Sequence, residues 1–212
     1  LLLIICSVVA VAVIMLRGLA LRRDLVLPPV IEQEIANMQP NDEGGVSRIS
    51  RLVANDESVL ARISQVGLQN LTWPRAENFD AVQTRARHEI VRLESGLFIL
   101  EIIVGIAPLL GLLGAVSGLV KVFAAFGSTA GARDPQLMAT GISEALSTTI
   151  VGLAIAIPSL IAYSYFSKKV ENMAADMETL ISELLAKAYF QKHRRLTARI
   201  MPPEEAAYEE EL

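Results

Sequence analysis

Three stretches of the chain, residues 1–16, 102–120 and 145–167, carry no charged side chain and are mostly apolar. A bilayer core takes about 20 such residues per helix. Lipid offers the backbone no hydrogen-bond partner, so an isolated span has to be helical. The expected fold is therefore an all-α membrane protein with three transmembrane helices, the second and third long enough to extend into the cytoplasm. The average hides this pattern. Of 212 residues, 52% are hydrophobic and 20% charged, and mean hydropathy is +0.44, figures only slightly more apolar than those of a soluble domain. What sets the chain apart is that most of its charge lies between and after the apolar stretches.

Several function classes drop out on composition. A net charge of -4 and a pI near 5.3 argue against nucleic acid as the main partner. The lone cysteine, Cys6, lies inside an apolar run, which leaves no intrachain disulfide and no thiol metal cluster. His88 and His193 have no neighbours at ligand spacing, so no metal or other cofactor is expected, and both read as solvated helix residues. Phosphate-loop, nucleophile-elbow and zinc-protease signatures are all missing, which argues against an enzyme. Met173 and Met177 read as packing residues. The chain begins inside an apolar run, so the natural protein is expected to extend further. Arg17, Arg22 and Arg23 follow that run as a stop-transfer pattern rather than a signal-peptide cleavage site.

Along the chain, residues 1–16 form the first expected span and 17–98 a cytoplasmic helical region. Within that region Pro28-Pro29 starts a short helix from Val30 to Met38, and Asn41 to Gly45 is a turn. Val46, Ile49, Val53 and Leu60 suit one or two amphipathic helices, and Trp73-Pro74 breaks the chain. From Arg75 the residues Phe79, Val82, Ala86, Ile90, Leu93 and Leu97 recur at helical spacing with no breaker before the second apolar run. One uninterrupted helix is expected to enter the membrane there. The second span covers 99–126, residues 127–134 form a short outer loop, and Asp134-Pro135 starts the third span, 135–167. A near-heptad stripe, Val170, Met173, Met177, Leu180, Leu184 and Ala188, continues the helix over 168–195. Residues 196–212 read as an acidic, disordered tail. Arg17, Arg22, Arg23, Arg87, Arg92, Lys168 and Lys169 fall on one side of three alternating spans. The N-terminus is then outside and the C-terminus cytoplasmic, with Lys121 snorkelling at the outer interface.

Two features exceed what a plain bundle needs. Thr140, Ser143, Glu144, Ser147, Thr148 and Thr149 open the third span. A carboxylate near a membrane is costly and points to an ion route. Ser147 and Thr148 lie one turn from Glu144 on its face, and Thr149 lies near the edge of that face. Two readings fit: a hydroxyl and water relay leading from Glu144, or a boundary carboxylate beside hydroxyls that serve helix packing. The second feature is the small-residue content of the second span, where Gly111, Gly114 and Gly118 accompany Pro108, and the third span carries Pro158. Close helix packing is the expected use. Glu101 reads as an interfacial residue.

The segment Ala107-Pro108-Leu109-Leu110-Gly111-Leu112-Leu113-Gly114-Ala115-Val116-Ser117-Gly118 resembles the APxxGLxGTVxG signature of the ExbB/TolQ proton-channel family, a relative of the MotA stators. Gly141 to Leu153 is similar to its GIxEALxxTxxGL segment, and Ala156-Ile157-Pro158 with Tyr163 to the AIPxxxxYN stretch that follows. The resemblance covers about residues 100–170. It implies a homopentamer whose second and third spans line a central pore, around a dimer of a single-span ExbD- or TolR-like partner carrying a protonatable aspartate. Proton flow would drive TonB- or TolA-type work across the envelope of a bacterial inner membrane. The family's third-span glutamate then falls on Glu144 and its pore threonine on Thr149. The signature's second-span threonine is Ala115 here, so Thr148, Ser147 or water would have to supply that hydroxyl. A non-conducting scaffold and a MotA-like stator are the alternative readings.

Overall fold

The computed structural model describes residues 2–39, 44–126 and 135–200. Among them lie eight helices and no strand: α1 Leu2–Ala20, α2 Arg23–Val26, α3 Pro29–Asn37, α4 Gly45–Ala54, α5 Val59–Gln69, α6 Arg75–Glu94, α7 Leu97–Phe126 and α8 Pro135–Ile200. Three helices of the described residues are long and apolar enough to cross a membrane by length and composition, at Leu2–Ala20, Leu97–Ala124 and Met138–Arg194. The chain is thus an all-α membrane protein.

Several boundaries differ from the sequence expectation. The first helix continues past residue 16 to Ala20 and carries Arg17 inside it, because a long basic side chain can lead its charge to water without ending the helix. The expected uninterrupted helix from Arg75 into the second span is in fact two, parted at Ser95 and Gly96. Glycine is the weakest non-proline helix former, and the Arg17 guanidinium occupies the place that a Cβ on residue 96 would need. The amphipathic region 46–60 resolves into α4 and α5. Ser58 separates them as an N-cap, its hydroxyl accepting from Ala61 N–H at 3.2 Å, as capping serines do. Helix α8 runs 66 residues, roughly 99 Å at 1.5 Å per residue. It passes the expected limit at 195, since neither proline nor glycine falls between Pro158 and Pro202. The expected loop 127–134 with Asp134, most of the Asn41–Gly45 turn, and the tail from 201 onward lie outside the described residues.

Contacts divide the chain into two units. The first comprises Leu1–Ala20 with Glu94–Lys169, and its core is made of small side chains. Ala10, Ala107 and Ala156 are buried with Ile103, and Leu3, Cys6 and Ile155 pack around them. Where lipid is as apolar as leucine, close backbone approach rather than bulk apolar burial holds helices together. Most large apolar side chains of this unit are correspondingly exposed.

The second unit, Leu21–Leu93 with the chain from Val170 onward, packs like a soluble domain. Leu27, Ile35, Ile49, Leu60 and Ile63 are buried with Met177 and Leu184 of α8. The last turns of α8 also collect orphan carbonyls at the ends of α3 and α5. Lys187 Nζ donates to Ile35 O at 2.8 Å and Ala36 O at 3.0 Å, and Lys192 Nζ to Leu71 O at 2.7 Å. A cation at a helix C-terminus satisfies both the carbonyls and the dipole.

Candidate functional site

Glycine at three positions lets α7 and α8 meet backbone to backbone. A Cβ on Gly111 would lie 2.9 Å from Thr148 O and 3.1 Å from Thr149 Cα. One on Gly152 would lie 2.6 Å from Ala107 O and 3.1 Å from Gly111 Cα. Two turns further along α7, a Cβ on Gly118 would lie 3.1 Å from that of Ala145. Gly114 faces the Thr148 side chain, whose Oγ1 would be 2.9 Å from an added Cβ. Pro108 is half-buried and Pro158 exposed. Both sit inside continuous helices, where each removes a backbone donor without ending the helix.

The hydroxyls of α8 divide between two directions. Thr148 Oγ1 donates toward Ala145 O at 2.8 Å and Gly111 O at 3.1 Å, and Thr149 Oγ1 lies 3.5 Å from the same Gly111 carbonyl. Both threonines are half-buried against α7. Thr140 and Ser147 point outward and close onto their own helix, at Gln136 O and Ser143 O, each at 2.8 Å. Ser143, Glu144 and Ser147 are exposed. With Ala139, Thr140 and Thr148 they line an open depression of about 590 Å³. Thr148 thus touches both the outward polar face and the α7 backbone. Ala115 is half-buried on α7, one turn beyond Gly111, and supplies no hydroxyl. Glu101 and Lys121 are exposed on α7.

What Thr148 contributes to packing is small. Interhelical hydrogen bonds in membrane proteins average about 0.6 kcal/mol. Thr148→Val keeps the shape and removes the hydroxyl, so its thermal midpoint in detergent should fall by only about 1–2 °C. A larger fall would mean that the bond to Gly111 O organises the whole contact.

The second unit holds a polar core that the apolar stripe did not disclose. The most buried residues of α6 are Asn78, Val82 and Glu89; of the expected line only Val82 is among them, while Phe79, Ala86 and Ile90 are half-buried. Asn78 Nδ2 donates to Gly67 O at 2.9 Å and to the Tyr189 hydroxyl at 3.0 Å. Glu89, 1% exposed, receives Arg62 Nη2 at 2.6 Å and Arg85 Nη2 at 2.8 Å, with Arg92 Nη1 at 3.9 Å. The hydrogen bond from Arg62, then the charges of Arg62, Arg85 and Arg92, hold the Glu89 carboxyl below the ordinary glutamate range, against the opposing effect of burial. The signal was present in the spacing. Arg85 and Arg92 stand four before and three after Glu89, which puts all three on one helix face. Among the described residues no group of histidine, cysteine and carboxylate side chains could hold a metal ion.

The chain is 33% identical over 139 residues to a biopolymer transport ExbB homolog of Methanothermobacter thermautotrophicus, covering 66% of this chain and 49% of that one. It is 27% identical over 180 residues to biopolymer transport protein exbB1 of Vibrio cholerae, covering 84% and 79%. It is also 35% identical over 103 residues to the Tol-Pal system protein TolQ of Haemophilus influenzae, covering 49% and 45%. The chain therefore spans about half the length of the first and third of these relatives. Residues 55–179 match the profile of the MotA/TolQ/ExbB proton channel family, a stretch that includes α5 to α7, the threonine contact and Glu144. That match takes in more than half of the sequence, and the chain belongs to the MotA/TolQ/ExbB proton channel family.

Proposed function

We propose that the chain is the multi-pass subunit of a proton-driven motor in an inner membrane, of the kind that serves biopolymer transport. The observation that carries this reading is the contact of Gly111 with Thr148 and Thr149, inside the stretch that matches a proton channel family. On the exposed side of the same helix turn lies Glu144, lining a polar depression with Ser143 and Ser147. A proton reaching Glu144 has hydroxyls within one or two turns: Ser147 on the outer face and Thr148 at the inner edge. Thr149 continues toward the α7 backbone. To relay a proton each hydroxyl must exchange its carbonyl partner for water or a neighbour.

In this reading α7 and α8 line the pore of a homopentamer, and a dimer of a single-span ExbD- or TolR-like protein brings a second carboxyl group to the Glu144 face. A TonB- or TolA-like protein receives the work. Moving one charge through 100 mV supplies about 2.3 kcal/mol, enough to bias rearrangement of a packed interface. The basic residues Arg17, Arg22, Arg23, Lys168 and Lys169 support a cytoplasmic location for residues 17–98 and the C-terminus, and an outer location for the N-terminus.

The test is co-expression with the single-span partner and measurement of partner-dependent, energised transport. Glu144→Ala and Thr149→Val should each fall to the partner-free background at unchanged membrane level, while Glu101→Ala keeps most of the activity. Full activity in both of the first two variants, or activity indifferent to a protonophore, would overturn the proton path.

A further inference from the structure

Each side of helix α8 within the second unit is used differently. Met173, Met177, Leu184 and Ala188 are buried toward the unit's core. Asn172, Thr179, Ser182 and Ala186, on the face opposite, are exposed. At about 100° per residue Asp176 lies on one flank between these faces, and Ala174 and Glu178 about 160° round on the other. Asp176 accepts from Arg23 Nη2 at 3.2 Å, so α2 lies on that first flank. The second flank and α6 together wall a groove of about 390 Å³. Its floor is apolar, with Phe79, Val82, Ala86 and Ile90 from α6 and Met177 and Ile181 from α8. Arg87 of α6 and Glu178 of α8 also line it, both exposed. On the α2 flank two apolar side chains have no cover. Leu25 and Val30 are each 60% exposed, although Leu21, Val26, Leu27 and Ile31 around them are buried. Arg22 and Asp24, beside Leu25, are exposed too. Among the described residues Arg22, Asp24, Arg87 and Glu178 make no ion pair. Each flank therefore offers an apolar patch, a cation and an anion. Both sit at one height on α8, since Arg23 reaches Asp176 and the groove runs from Glu171 to Ile181.

We propose that the α6–α8 groove of one copy receives Leu25 and Val30 of the next copy, with Arg22 toward Glu178 and Asp24 toward Arg87. Joining two different surfaces makes a head-to-tail contact, which closes into a ring when its rotation allows. Flanks that oppose each other at one height give little rise from copy to copy, the condition for a ring rather than a filament. The exposed face of Asn172, Thr179, Ser182 and Ala186 then looks toward the ring axis, where small and polar side chains suit a wet interior. Apolar burial supplies the attraction. Exposed ion pairs add little energy, but they fix which flank meets which. The contact rests on the homo-oligomer proposed above and locates one of its interfaces in the second unit. It does not depend on the proton path.

Oxidative cross-linking of the full chain in membranes tests the contact, with Cys6→Ser as the background. Leu25→Cys combined with Gln83→Cys, a second residue lining the groove, should give a ladder of covalent multimers on a denaturing gel. Either cysteine alone should run as monomer. In the double-cysteine chain Arg22→Glu should cut the ladder several-fold, Glu178→Arg should do the same, and the two together should restore it. All of these except Gln83 are exposed side chains, so the variants should fold normally. Native mass spectrometry of the same preparations separates this proposal from the one it rests on. Oligomers without a ladder overturn the groove contact and leave the homo-oligomer standing, whereas monomers alone overturn both. A dimer from Leu25→Cys or Gln83→Cys alone would mean a self-paired surface. A Gln83→Cys adduct with a different protein would give the groove another occupant. Either result overturns the proposal, as does a ladder indifferent to both charge reversals.

Discussion

Gly152→Ala is expected to destabilise the membrane unit by about 3 kcal/mol, a fall of roughly 6–12 °C in the midpoint of thermal unfolding in detergent. The added methyl would lie 2.6 Å from Ala107 O. Main chain cannot swing aside as a side chain can, so α8 must retreat along its contact with α7. That retreat would also draw Thr148 and Thr149 away from Gly111 O, now 3.1 and 3.5 Å distant. Gly105→Ala is the matched control, since nothing lies within 4 Å of a Cβ there, and its midpoint should stay level or rise slightly. Gly118→Ala, 3.1 Å from the Ala145 Cβ, should fall between the two. Equal midpoints for Gly152→Ala and Gly105→Ala would show that the α7–α8 contact does not set stability. In transport, Gly152→Ala should fail alongside Thr149→Val, because both disturb one contact.

The graded contacts at these glycines mark how far sequence alone could reach. The small-residue pattern of the second span announced close packing, and the apolar stretches announced three spanning helices, because both depend on composition along one helix. Which glycine touches main chain and which faces open space depends on the rotation of α8 against α7, and nothing in either segment states it. The same limit explains α6. Phe79, Val82, Ala86 and Ile90 looked like its inner face by apolarity; Val82 is buried there, while Phe79, Ala86 and Ile90 stay half-buried along a groove of about 390 Å³ with Glu171, Ala174 and Glu178 of α8. Asn78 and Glu89 go deeper, because partners far along the chain, Tyr189 and Arg62, satisfy them. The Ser95–Gly96 break was hidden for a related reason: glycine is tolerated within helices, and the Arg17 guanidinium that lies over residue 96 comes from a helix far away in the sequence. Glu144 was found by sequence as a carboxylate beside an apolar stretch, but its division from Thr148 and Thr149 into outward and inward directions needed the helix contact.

Glu89→Gln should cost the second unit about 3 kcal/mol at neutral pH. That is the lower edge for removing one partner of a buried pair, because the arginines left behind retain some contact with water. Arg92, mostly exposed and 3.9 Å away, adds little to that figure. The effect also has a pH signature that separates it from lost packing. The Glu89 carboxyl is held below its ordinary value, first by the Arg62 hydrogen bond and then by the surrounding guanidinium charges. A lowered native value means that the unfolded chain binds this proton first as acid is added, so acidification favours unfolding. The stabilisation is therefore complete above the ordinary glutamate value of about 4.3 and is lost as pH falls through the lower native value. Wild type and Glu89→Gln should differ by a constant amount near neutrality and converge in acid. Denaturant unfolding of both proteins across that range checks it, and a difference that stays constant into acid would assign the loss to shape rather than charge. Converging curves would make Glu89 the charge that keeps α5 and α6 paired.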